Sequence, residues 1–135
     1  MLASACHGEA DARAEARVLL DRLHALSGEG TLTERKAALD ALHELPLREP
    51  EHGRTRDVCH TAHLKLLEAE AAQLAARKSL DEASAAVQPG AAALSPERGL
   101  AIAAELERSN AALMAAKTGF PECEQATIAL TREAR

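Results

Sequence analysis

The sequence almost lacks aromatic residues: Phe120 is alone, with no Trp and no Tyr among 135 residues. Single-stranded nucleic acid is bound by stacking bases on aromatic rings above a basic surface. Here acids outnumber bases 21 to 16, the formal net charge is −5, and Arg and Glu are interleaved. A nucleic-acid partner is therefore not expected. Small-molecule pockets are also usually lined with aromatic side chains, so no buried cofactor is expected either. β-Branched residues are few, which argues against strands. No run approaches the roughly 20 apolar residues that a membrane span takes.

What fills the chain instead is Ala and Leu, the head of the helix-propensity ranking, within a hydrophobic share of 47%. The expected fold is all-α, in one domain with a modest core. Periodicity predicts a first helix over about 9–26, with Ala12, Ala16, Leu19, Leu23 and Leu26 as its stripe. Ser27-Gly28-Glu29-Gly30 breaks it, and Thr31 with Glu34 forms a capping box that opens a second helix to about Glu44. These two make a short N-terminal helical hairpin over 9–45.

Pro46, Pro50 and Gly53 mark the next loop. From Arg54 to about Val87, Val58, Ala62, Leu66, Ala69, Gln73, Ala76, Leu80, Ala83 and Val87 alternate in threes and fours. That is a heptad seam on a helix roughly 50 Å long. Gln88-Pro89-Gly90 ends it, and Ser95-Pro96-Glu97 starts a fourth helix with an N-cap Ser and Pro at the first position. This helix carries Ile102, Leu106, Asn110, Leu113 and Ala116 to about Thr118. Gly119 reads as a C-cap, and Pro121 as the start of a short last helix over 121–134. The architecture expected is an antiparallel bundle built on a long helix-turn-helix hairpin, 54–118, with 9–135 as one domain and 1–8 as a disordered leader.

A turn centred near residues 91 and 92 pairs Ala62 with Phe120, Leu66 with Ala116, Ala69 with Leu113 and Ala76 with Leu106. Each pair sets small against large, as interdigitating layers do. The same register joins Gln73 to Asn110 as a buried polar pair and places Cys59 opposite Cys123, where a disulfide is expected. Disulfides persist in oxidising compartments.

At the start, Leu2-Ala3-Ser4-Ala5-Cys6 resembles the end of a bacterial lipoprotein signal peptide, with Ala3 where Leu is preferred. The resemblance implies a lipidated Cys6, a truncated signal before it, and residues 1–8 as a tether. It carries no activity with it. Membrane association is expected only through that anchor.

Cys59-His60-x-x-His63 is the one constellation that looks like a site, since His60 and His63 share a helix face and could join Cys59 on a metal. It lacks a second ligand pair, and a disulfide at Cys59 excludes it. Glu68 with Glu70, and Glu105 with Glu107, are two apart and point to different sides of a helix, so neither pair works as acid and base. No Ser or Cys lies in a motif that supplies an activating base. The expectation is a non-catalytic protein without cofactor, located in the periplasm or cell envelope. It would act on a protein partner as adaptor, spacer or assembly subunit. A metal-binding protein using Cys59, His60 and His63, and a cytoplasmic coiled-coil partner protein, are the alternatives.

Overall fold

The computed structural model describes residues 3–26, 28–86 and 95–135, with the backbone alone for 3–7 and 86. Four helices follow in order: α1 (Ala3–His24), α2 (Leu32–His43), α3 (Pro50–Ala86) and α4 (Pro96–Glu133). No strand occurs among the described residues. The protein is an all-α bundle in which α3 and α4 form the long antiparallel hairpin, while α1 and α2 pack on its base.

Local chemistry sets the helix ends. The Thr31 hydroxyl accepts the Glu34 N–H at 3.1 Å, and the Glu34 carboxylate accepts the Thr31 N–H at 2.8 Å, closing the expected capping box. Gly30 before it has φ +97°, a conformation that side chains disfavour. Ser95 caps α4 by accepting the Arg98 N–H, with Pro96 as its first residue.

Three boundaries differ from expectation. Helix α1 begins at Ala3, inside the segment read as a leader, because Ala and Ser allow the helix to extend backward from its packed part. Helix α3 begins at Pro50, so Gly53 lies within its first turn rather than closing a loop. Helix α4 runs straight through Gly119 and Pro121, so there is no separate last helix. Pro121 removes one backbone donor, but Ala116, Cys123 and Leu130 are buried along one face on both sides of it and hold the helix together. The turn between α3 and α4 and the end of the seam at Val87 lie outside the described residues.

The hairpin seam is narrower than the three-four pattern implied. On α3 the buried positions of the seam recur in sevens, Ala62, Ala69, Ala76 and Ala83, while buried Leu67 lies on the side of α1 and α2. On α4 the partner row is Ile102, Ser109, Ala116, Cys123 and Leu130, with Ser109 half-buried and the rest buried. Small residues on both sides let the backbones come together. The Ser109 hydroxyl donates to the Ala69 carbonyl across the seam at 2.9 Å. Leu106 and Leu113, expected against Ala76 and Ala69, lie on the flank and are exposed. Gln73 and Asn110 are exposed as well, so they are not the buried polar pair that the sequence suggested. Two helices alone bury one narrow stripe each, and the second position of each heptad rolls outward.

The main core sits at the base. Ala16, Leu19, Leu20 and Leu23 of α1 meet Leu42 of α2, Cys59 of α3, and Cys123 and Leu130 of α4. Arg17 closes the bottom by donating to the Ala134 carbonyl at 2.9 Å.

Candidate functional site

Three groups of polar or reactive side chains stand out, all in the basal half. The first is the pair of cysteines. Cys59 on α3 and Cys123 on α4 form a disulfide, with Cα atoms 4.7 Å apart. Cys59 is fully buried. The bond links positions 64 apart in sequence, in the antiparallel register expected from the heptads. The side chain of Cys6, the expected lipidation site, lies outside the described residues.

The second group is an ionic triad around a buried histidine, which sequence reasoning missed. His52, in the first turn of α3, is 1% exposed. Its Nδ1 lies 2.8 Å from Glu15 Oε1 on α1, and its Nε2 lies 2.9 Å from Glu133 Oε1 at the end of α4. Both ring nitrogens face carboxylates, so only the doubly protonated imidazolium donates to both. Burial opposes that charge, but the hydrogen bonds to Glu133 and Glu15 outweigh it and raise the His52 pKa. Burial likewise opposes charge on Glu15, yet its carboxylate accepts the N–H groups of Arg48 and Glu49 and faces His52, so its pKa is lowered. Glu15 thus caps the entry to α3 while holding His52, joining α1, α3 and α4 at one point.

The third group contains the histidines of the expected metal motif. The structure sends them to different surroundings. His60 stacks against His43 of α2 with ring centroids 4.9 Å apart. Its pKa is lowered by burial, then by the neighbouring His43 and Lys36. His63 meets the edge of Phe120 at 4.9 Å, and burial followed by Arg35 lowers its pKa. With Cys59 in the disulfide, the three residues do not converge on a metal. No cluster of three or more His, Cys, Asp or Glu able to hold a metal occurs among the described residues.

His63 and Phe120 line a partly enclosed cleft of about 210 Å³, walled by Leu26, Leu39, Leu66 and Leu67. Arg35 of α2 crosses its edge to pair with Glu70 of α3. This ion pair marks how far α2 reaches along the hairpin. Beyond it the two long helices stand as an arm, where Leu74, Leu80, Leu100 and Leu106 are exposed; Leu113 and Met114 are exposed at the level of the ion pair itself. No described helix is long and apolar enough to cross a membrane.

No protein-family model matches the chain, and comparison with curated proteins and with solved structures gives no match.

Proposed function

We propose that the chain is a non-catalytic helical subunit of the bacterial cell envelope, acting as adaptor, spacer or assembly subunit through its long hairpin. The observation that carries the reading is the Cys59–Cys123 disulfide, set inside the seam at the base of an otherwise free two-helix arm. A bond in that place braces the hairpin where its load meets the basal helices. Such bonds persist where thiols are not kept reduced, which is the periplasm or cell surface in bacteria. The Leu2–Cys6 segment supports the same address, with Cys6 as a lipid tether independent of the bridge. The arm, rich in exposed Leu, supports action by docking helices rather than by chemistry at a pocket.

The test is fractionation of the bacterial source with thiols trapped before lysis. The reading expects the protein with the envelope fraction and Cys59 and Cys123 oxidised, and it expects Cys6→Ala to release the protein from the membrane into the soluble envelope fraction. A cytosolic protein with all thiols trapped as free would replace this reading with a cytoplasmic helix-binding one.

A further inference from the structure

We infer that His43 of α2 and His60 of α3 form a binding site for a divalent transition-metal ion, Cu2+ foremost, with Asp40 as the third ligand. The inference goes beyond the reading above and does not depend on the envelope address.

The sequence carries one pattern on both helices. Asp40-Ala41-Leu42-His43 on α2 and Asp57-Val58-Cys59-His60 on α3 are each Asp-x-x-His. Residues three apart share a helix face, so each helix offers a carboxylate and an imidazole side by side. In both, the residue before the histidine, Leu42 or Cys59, is fully buried in the basal core. Those two anchors set the rotation of the helices and bring the histidine rings together at the margin of the α2–α3 contact. There His43 is exposed and His60 half-buried.

The ring centroids are 4.9 Å apart, with the planes tilted by 36°. Two imidazoles on one ion, each bonded at about 2.0–2.1 Å, hold their centres roughly 4.5–5 Å apart. The pair thus spans the distance of a shared ion without backbone movement. Rotation about the broad last torsion of each ring selects the nitrogen that faces the ion. Neutral imidazole is the ligand form, and burial, then His43 and Lys36, lower the His60 pKa toward it. The other histidines of α3 are engaged elsewhere, His52 between two carboxylates and His63 on Phe120.

Asp40 and Asp57 both lie near enough to act on the charge of His60. As placed, Asp40 turns to Lys36 and Asp57 to Arg56, so two ligands converge and no cluster of three is preformed among the described residues. Both carboxylates are more than half exposed, and such surface pairs are weak. Asp40 acts on His60 more strongly than Asp57, which is held by an Arg56 itself fixed on the Leu45 carbonyl. One side-chain rotation of Asp40 away from Lys36 completes the set. The Cys59 sulfur is in the disulfide and supplies no thiolate. Imidazole and carboxylate donors, with water in the open positions, suit Cu2+ and Zn2+, and Cu2+ is the tighter in the general order for divalent ions.

Calorimetric titration of CuCl2 and, separately, of ZnCl2 into the tag-free oxidised full chain tests this, with Cys6→Ser so that no thiol competes. One Cu2+ per chain is expected at micromolar concentration, with two imidazole nitrogens in its paramagnetic resonance signal and Zn2+ at least about tenfold weaker. His43→Ala and His60→Ala are each expected to weaken Cu2+ binding by about tenfold or more. The double change should go little further, since both rings serve one ion. Asp40→Asn is expected to weaken it about tenfold, and His24→Ala, at an exposed histidine of α1, to leave it unchanged. None of the four positions is buried, so helical circular dichroism should hold in every variant. No Cu2+ bound below about 100 µM would overturn the site. Binding indifferent to both His43→Ala and His60→Ala would overturn the pair and leave only adventitious copper on other histidines. Asp40→Asn without effect would overturn the third ligand.

Discussion

Gly119 of α4 lies against Ala62 of α3 so closely that a Cβ added to the glycine would be 3.1 Å from the Ala62 Cβ and 3.5 Å from its Cα. The glycine is a contact surface in mid-helix and not a helix end. Gly119→Val drives two methyl groups into the Ala62 backbone, and one turn from the disulfide the helices cannot separate freely. The expected loss is about 1–3 kcal/mol of unfolding free energy, read by urea denaturation. Gly119→Ala gains helix propensity of about 1 kcal/mol against the same crowding, so its net effect is expected to be small. A valine variant as stable as the wild type would contradict the close seam.

Pro121 makes the reverse prediction. It sits exposed inside α4, where its ring takes away one intrahelical hydrogen bond. Since the helix is held by packing on both sides, Pro121→Ala restores a donor without changing the fold. Stability is expected to rise by about 1–3 kcal/mol. A decrease would mean that the proline sets the path of the chain there.

Sequence patterns reach the helices and the hairpin register but not the phase of the seam or the triad. The capping box at Thr31, the Ser95 cap and the Cys59–Cys123 pairing are local or follow from one count along two helices. Gly119 and Pro121 carry the ordinary marks of a helix break, and only burial of Cys123 and Leu130 overrides them. The three-four alternation fits a stripe through Leu106 and Leu113 as well as one through Ser109 and Ala116, and which stripe turns inward depends on how close the backbones can come. Gln73 and Asn110, expected inside the seam, are exposed for that reason. The Glu15–His52–Glu133 triad has no local signature at all, since its members come from three helices.

That triad gives the fold a dependence on pH. The His52 pKa is raised above its unfolded value of about 6.5, so its contribution is complete below that value and is lost as pH rises through the folded one. The Glu15 pKa is lowered, so its contribution is present above the usual carboxylate range and is lost as pH falls through the lowered value. Stability is expected to be greatest in the mildly acidic range and to decline on the alkaline side of the His52 titration. Urea midpoints from about pH 5 to about pH 9 measure this. His52→Gln is expected to flatten the alkaline decline and to cost about 2 kcal/mol in the acidic range, less than a fully buried pair because Glu133 is partly exposed. An unchanged profile in that variant would remove His52 from the account.

The disulfide closes a span of 64 positions, and loop-closure entropy assigns such a bond about 4 kcal/mol. Cys59→Ala with Cys123→Ala is expected to lower the melting temperature by roughly 10–20 °C. It should leave the helical content intact at low temperature.

The braced hairpin and the envelope address both require that those two sulfurs be joined in the protein as it is made. The direct measurement is a thiol count by mass spectrometry on protein from an oxidising compartment, unfolded and alkylated without reductant. With Cys6 unmodified, one added tag, on Cys6, is the result expected, and reduction before alkylation should raise it to three. Three tags without reductant would mean that Cys59 and Cys123 are free, and would remove both the brace on the hairpin and the main support for an envelope address.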